Sequence, residues 1–142
     1  MPATSSARKT NILLVHDDAI EVMNVRNAFE DGKIESPLFH AKEGSVALEM
    51  LRDGTIPRHR RLVLLDLSMP RLNGIEFLRE LRGDPELRDT PVVVLTTSDE
   101  LQDQSAAYHF NVAGYLVTPV SFPAFVELLT TLNRYWGLME MV

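Results

Sequence analysis

Acidic and hydroxyl side chains follow several apolar runs of the sequence, at the positions where buried strands would end. Asp17 and Asp18 come after the first run, Asp66 after the third, and Thr96 and Thr118 close or follow later ones. In an open parallel sheet, ligands bind outside the carboxyl ends of the strands, so these side chains would meet at one edge. Carboxylate and hydroxyl oxygens together suit a small, hard cation and a phosphoryl group. The alternative for each residue taken singly is a helix cap, because Asp and Thr often begin helices.

The spacing of apolar residues predicts the elements that would hold these side chains. Short apolar runs predict strands, longer amphipathic segments predict helices, and the two alternate along the chain. The strands are predicted at 11–15, 37–41, 62–66, 91–96 and 114–117, and the helices at 17–31, 45–52, 75–82, 101–111 and 122–135. This alternation is typical of βαβ units and predicts a parallel sheet that is covered on both faces.

The composition indicates one acidic domain. The 142 residues carry 14 Lys+Arg against 20 Asp+Glu, and a formal net charge of -6 argues against nucleic acid as the main partner. The absence of cysteine excludes disulfides, thiolate metal sites and a cysteine nucleophile. We find neither a signal peptide nor an apolar run long enough to cross a membrane, so we expect a cytoplasmic protein with no membrane contact.

Four blocks of the sequence resemble the signature of response-regulator receiver domains. They read ILLVHDD at 12–18, LLDLSMP at 64–70, VLTTS at 94–98 and GYLVTP at 114–119. The resemblance is closest to stand-alone receivers that partner bacterial phytochromes and related sensor histidine kinases. It implies an α/β, flavodoxin-like, doubly wound five-stranded parallel sheet of order 2-1-3-4-5 with five helices.

The resemblance also implies a role for individual residues. Asp66 falls on the phosphoacceptor, which would take a phosphoryl group from a kinase histidine. Asp17, Asp66 and the backbone carbonyl of Ser68 fall on the ligands of Mg²⁺. Thr96 falls on the switch hydroxyl that bonds the phosphoryl group, and Tyr115 on the aromatic residue whose rotamer follows it.

Two positions depart from the family pattern. His16 stands where the first acid of a pair is usual, and Thr118 stands where a lysine is usual. A lysine there would provide a charge-assisted hydrogen bond worth about 1.5–3 kcal/mol, and imidazole is a poorer Mg²⁺ ligand than carboxylate. We therefore expect weakened Mg²⁺ binding. A one-residue bulge would instead let Asp17 and Asp18 form the acid pair, and a charged His16 would replace part of the missing positive charge.

These observations lead to two main interpretations. The first is a single-domain response regulator, not an enzyme, that accepts a phosphoryl group on Asp66 from a histidine kinase and signals through protein contacts. The second is a pseudo-receiver that binds partners without phosphorylation, which His16 and Thr118 favour. A phosphohydrolase is disfavoured, because Ser68 stands where haloacid-dehalogenase-type enzymes have a second acid.

The end of the sequence is apolar beyond the last predicted helix. We expect a flexible tail at 1–10, a receiver domain at 11–136 and an apolar C-terminal extension at 137–142. The resemblance implies a homodimer through the last helices and this extension, with Tyr135, Trp136 and Leu138 in the interface. An exposed apolar patch usually marks an interface, and the alternative is an extension folded back on its own domain.

Overall fold

Strands and helices alternate along the chain in the computed structural model, which describes residues 9–67, 74–97 and 101–140. The strands are β1 (Asn11–Val15), β2 (Leu38–Ala41), β3 (Arg61–Leu65), β4 (Val92–Thr96) and β5 (Gly114–Val117). The helices are α1 (Ala19–Asp31), α2 (Gly44–Asp53), α3 (Gly74–Gly83), α4 (Leu101–His109) and α5 (Phe122–Leu138). No described helix is long and apolar enough to cross a lipid bilayer.

The strands form one parallel sheet in the order β2-β1-β3-β4-β5, which confirms the predicted order. The chain moves one way across the sheet from β1 to β2 and the other way from β3 onward. A crevice therefore opens beside the carboxyl ends of β1 and β3, where the direction reverses. The register places Val15 opposite Leu65, so the residues that follow them, His16 and Asp66, lie side by side.

Apolar side chains cover both faces of the sheet. Val15, Leu65 and Val94 belong to a buried layer with α2 and α3, whereas Leu14 and Leu64 belong to a layer with α1 and α5. Strands that are buried on both faces read as near-continuous apolar runs, which is why the sequence pattern located them. The two layers fix the central strands, and so they fix the positions of the residues at the strand ends.

Helix α1 begins at Ala19, two residues later than predicted, because Asp18 caps it. The Asp18 carboxylate accepts hydrogen bonds from the backbone N–H groups of Ile20 at 2.9 Å and Glu21 at 3.3 Å. An aspartate in this position satisfies amide groups that have no partner within the helix. Asp17 is therefore left outside the helix, next to the end of β1.

Helix α5 continues to Leu138, three residues beyond the predicted end at 135. Trp136 packs into the layer formed with α1, and the buried guanidinium of Arg60 donates to the carbonyl oxygens of Trp136 and Met139. These contacts add side-chain donors to carbonyl groups at the end of the helix, where intrahelical partners run out. The first two residues of the predicted extension are therefore helical, and residues 141 and 142 lie outside the described residues.

The start of the described chain is also hydrogen-bonded to the rest of the domain. Thr10, the last residue of the predicted tail, is fully buried, and its backbone N–H donates to Ser36 Oγ at 3.2 Å. Residues 1–8 of that tail lie outside the described residues.

Gly74 allows α3 to begin against the segment that carries Asp66. A Cβ at position 74 would lie 2.6 Å from the Cα of Leu67 and 2.9 Å from the backbone oxygen of Asp66. At Gly83, the other end of the same helix, a Cβ would meet nothing within 4 Å. The close approach at Gly74 therefore helps to fix the backbone at Asp66.

Gly74→Ala is expected to lower the free energy of unfolding by about 1–3 kcal/mol, because the backbone must shift to relieve the overlap. Gly83→Ala is the matched control, and it should leave stability unchanged or raise it by up to about 1 kcal/mol, since alanine favours helix. Chemical denaturation of the two variants and the wild type measures the difference. Equal stabilities for the two variants would contradict the close packing at Gly74.

Candidate functional site

A cleft of about 330 Å³ opens at the carboxyl ends of β1, β3 and β4. Its described lining consists of His16, Asp17, Asp18, Glu21, Asp66, Thr96, Thr97 and Thr118. The structure thus brings together the acids and hydroxyls that the strand ends predicted. The described lining contains four acidic residues and neither lysine nor arginine, so the cleft is strongly negative.

Asp66 lies at the base of this cleft. Its backbone N–H donates to the carbonyl oxygen of Val15 at 3.1 Å, and the residue is only 6% exposed. Its Oδ1 accepts a hydrogen bond of 2.9 Å from Thr96 Oγ1, while its Oδ2 lies 4.0 Å from His16 Nε2. The carboxylate is therefore oriented, and a carboxylate of this kind can act as a nucleophile towards phosphorus.

His16 directly follows β1, and both its backbone N–H and its carbonyl oxygen are hydrogen-bonded. Its N–H donates to the carbonyl oxygen of Ala41 at 3.1 Å, and its own carbonyl oxygen accepts from His40 Nε2 at 2.8 Å. No pattern in the sequence indicates the contact with His40, because only the register of β1 with β2 brings the two histidines together. The side chain of His16 is 14% exposed and lies between Asp17 and Asp66.

Asp17, Asp66 and His16 each offer one atom that could bind a metal ion, and these atoms lie within 4.8 Å of one another. Two carboxylates, in a cleft whose other charged side chains are also acidic, form a donor set that fits a divalent cation. The carboxylates of Asp17 and Asp66 are the groups that would hold it. Ser68, predicted to contribute its backbone carbonyl, lies outside the described residues.

The alternative in which a bulge makes Asp17 and Asp18 an acid pair is wrong. β1 pairs without interruption as far as Val15 with both of its neighbours. Asp18 lines the cleft, but its Oδ1 is occupied by the cap of α1. Asp17 is therefore the acid of this segment that lies within ligand distance of Asp66.

The remaining predicted positions lie on β5 or directly after it. Thr118 lines the cleft, and its backbone N–H donates to the carbonyl oxygen of Thr96 at 2.8 Å. It brings a hydroxyl to the cleft but no charge. Tyr115 lies opposite Val94 in the register, is half-buried, and packs against the layer formed with α2 and α3 rather than lining the cleft.

The residues predicted at a dimer interface differ in exposure. Leu138 is 75% exposed and Tyr135 is also exposed, whereas Trp136 is 8% exposed and belongs to the core of its own chain. The two aromatic rings contact each other edge to face, with centroids 5.7 Å apart. Of the three predicted residues, Tyr135 and Leu138 are thus the ones exposed at the end of α5.

A second cavity, of about 430 Å³, lies away from the carboxyl ends of the strands and is lined in part by Arg58, Arg61 and Trp136. It is larger than the cleft, but it also contains Glu86 and Asp89, so its charges are mixed. It contains none of the strand-end acids or hydroxyls that carry chemistry. The candidate functional site is therefore the cleft.

Residues 12–130 match the family model described as response regulator receiver domain. FilR2, a probable methanogenesis regulatory protein of Methanothrix harundinacea, is 36% identical over 127 residues, which cover 88% of this chain and 82% of the relative. Response regulator Rcp1 of Synechocystis is 31% identical over 128 residues, which cover 88% of this chain and 87% of the relative.

The solved structures that resemble this fold include two response regulators. The Mn²⁺-bound form of response regulator Rcp1 has a TM-score of 0.78 at 29% identity and covers 94% of this chain and 99% of its own. The phosphorylated cyanobacterial phytochrome response regulator RcpA has a TM-score of 0.80 at 26% identity and covers 94% of this chain and 98% of its own. With the sheet order, the strand-end acids and the family match in agreement, this chain belongs to the response regulator receiver domains of two-component systems.

Proposed function

We propose that this protein is a cytoplasmic response regulator that accepts a phosphoryl group on Asp66 from a sensor histidine kinase and signals through protein contacts. The observation that carries this proposal is the placement of Asp66, a buried carboxylate oriented by Thr96 at the base of an acidic cleft. The similarity to RcpA, solved in a phosphorylated form and named as a phytochrome response regulator, supports it. We extend the same partner class, a phytochrome-type kinase, to this chain.

A carboxylate oxygen of Asp66 attacks the phosphorus of the kinase phosphohistidine in line, and the O–P bond forms as the N–P bond breaks. The bonding electron pair returns to the kinase imidazole. Thr96 and Thr118 place their hydroxyls in the same cleft, where they can donate to the phosphoryl oxygens.

The new phosphoryl charge adds to a cleft that already holds Asp17, Asp18 and Glu21. A divalent cation held by Asp17 and Asp66 would supply the positive charge that offsets these oxygens. The Mn²⁺-bound form of Rcp1 supports a cation at this site, and we propose Mg²⁺ as the ion. Among the described lining residues, no lysine or arginine shares that task.

Three exposed apolar residues lie beside the cleft and are called its rim here: Ile20, Val120 and Phe122. Ile20, 73% exposed, lies in the first turn of α1, directly after the acids of the cleft. Val120 and Phe122 are also exposed and line a groove that shares Glu21 and Thr118 with the cleft. A kinase that brings its histidine to Asp66 must contact this rim, so we assign Ile20, Val120 and Phe122 to kinase docking.

A second candidate function is a pseudo-receiver that binds its partners without phosphorylation. It is favoured by Thr118, which lines the cleft in the position of the usual lysine, and by His16 in the position of an acid. The fold and the rim would then serve binding alone. The same phosphorylation experiment separates the two functions.

Incubation with acetyl phosphate, or with a phytochrome-type kinase and ATP, in the presence of Mg²⁺ is expected to give an acid-stable, base-labile phosphoryl adduct on the wild type. Asp66→Asn should abolish the adduct, because an amide is not a nucleophile for phosphorus. Intact-mass measurement detects it. An adduct absent from the wild type but present on the double variant His16→Glu, Thr118→Lys would establish the pseudo-receiver instead.

Mg²⁺ or Mn²⁺ is expected to raise the Tm of the wild type, because a cation at one hundred times its Kd stabilises the folded state by about 2.7 kcal/mol. Asp17→Asn should remove most of this rise, since it deletes one of the two carboxylates that would hold the ion. Asp18→Asn is the matched control, because it removes the same charge and asparagine still caps a helix. An equal loss in both variants would indicate general charge screening and contradict the site.

We propose that Tyr135 and Leu138 form part of a homodimer interface, since both are exposed at the end of α5. Leu138→Glu is expected to raise the dimer Kd by about tenfold or more, equivalent to about 1.4 kcal/mol. Val46→Glu places the same charge on an exposed apolar position of α2 and should leave the Kd unchanged. Analytical ultracentrifugation measures it, and a wild type that stays monomeric at high concentration would contradict the interface.

A further inference from the structure

The ring of His16 has a defined orientation in the cleft. The backbone of His16 is fixed by Ala41 on one side and His40 on the other, and the side chain is mostly buried. One ring nitrogen, Nδ1, lies 3.2 Å from the backbone nitrogen of Asp18, which donates to it. The other, Nε2, is directed at Asp66 Oδ2, 4.0 Å away.

The contact with Asp18 decides which ring nitrogen carries the proton. A backbone N–H can only donate, so Nδ1 must offer its lone pair, and the proton of the neutral ring resides on Nε2. Asp18 is itself held in place, because its carboxylate caps α1 through Ile20 and Glu21. The cap of α1 therefore directs an N–H group of His16 towards Asp66.

This arrangement is unfavourable for metal ligation by His16. A histidine that binds a metal through one ring nitrogen normally donates its other ring N–H to an acceptor. Ligation through Nε2 would put a proton on Nδ1, where it would face the N–H of Asp18. Asp17 Oδ1 lies 3.8 Å from Nδ1, which is too far to accept that proton in a hydrogen bond. Ligation through Nδ1 would break the bond from Asp18.

The Nε2–H group of His16 could donate a hydrogen bond to an anionic group in this acidic cleft. The described side chains that line the cleft include four acids and three threonines, and His16 is the only nitrogen donor among them. A distance of 4.0 Å is too long for a hydrogen bond to the free carboxylate. A phosphoryl group on Oδ2, the oxygen that does not bond Thr96, would place acceptor oxygens closer to His16 Nε2.

We infer that His16 is a hydrogen-bond donor to the phosphoryl group on Asp66 and not a ligand of the metal ion. It would supply through Nε2–H the nitrogen donor that Thr118 lacks, while the carboxylates of Asp17 and Asp66 hold the cation. This role does not depend on the charge of the ring, because neutral and protonated forms in this orientation both carry a proton on Nε2. The inference rests on the proposed phosphorylation of Asp66.

Two measurements test the metal part without any phosphorylation. Long-range ¹H–¹⁵N NMR on untagged, ¹⁵N-histidine-labelled protein should show neutral His16 protonated at Nε2, with His16→Gln identifying its signals among the 4 histidines. Pulsed EPR with Mn²⁺ alone as the probe should show no nitrogen bonded to the ion, and His16→Gln should bind Mn²⁺ within about threefold of the wild type, a difference of well under 1.4 kcal/mol. A proton on Nδ1, or a Mn²⁺-bound nitrogen that His16→Gln removes, would overturn the inference.

The donor part is tested by the lifetime of the phosphoryl adduct. His16→Gln keeps an N–H donor, whereas His16→Phe keeps a ring without one. We expect the amount or lifetime of the adduct to fall about tenfold or more in His16→Phe, equivalent to about 1.4 kcal/mol or more, and to be largely retained in His16→Gln. Equal adducts in the two variants would overturn the donor role, provided that circular dichroism shows both to be folded.

The metal test and the adduct test together distinguish failure of this inference from failure of the proposed function. If the wild type forms no adduct at all, the proposed function and the donor role both fall, while NMR and EPR still decide whether His16 binds the metal. If the wild type forms the adduct but His16→Phe does so equally well, the proposed function stands and the donor role falls.

Discussion

The site depends on the pairing of β1 with β3, and on one hydrogen bond that continues it, from the N–H of Asp66 to the carbonyl oxygen of Val15. This pairing brings the end of one chain segment next to the end of another that lies about fifty residues away. A slip of one residue would turn Asp66 to the opposite face and leave Thr96 without its partner. The apolar layers on both faces prevent that slip, so the core of the protein is what sets the geometry of the cleft.

The fold could be predicted because the strongest pattern in the sequence belongs to the most buried elements. β3 and β4 are enclosed on both faces, and their apolar runs show where they lie. The end of α5 could not be predicted, since it depends on Arg60. This residue lies in a stretch of basic residues, and its guanidinium donates to carbonyl oxygens more than seventy positions along the chain. A positive charge in a loop is usually solvated, and no local pattern distinguishes the arginine that is buried.

The composition of the site could be predicted in the same way, but its orientation could not. Strand ends identified Asp66 and Thr96, and the structure joins them directly. The direction of the His16 ring follows from a backbone N–H in the next turn and from the cap that fixes it, which are properties of conformation and not of residue type. The backbone at His16 is likewise held by a hydrogen bond from His40, and the register of the edge strand β2 places His40 there.

Helix α5 also determines how far apart the two proposed interaction surfaces are. It begins at Phe122, beside the rim assigned to kinase docking, and its 17 residues extend about 25 Å to Leu138 at the opposite end of the sheet. Arg60 fastens that distant end to the start of β3. A partner at the cleft and a second copy at the end of α5 would therefore not compete for space, so the proposed kinase docking and the proposed dimer are compatible with each other.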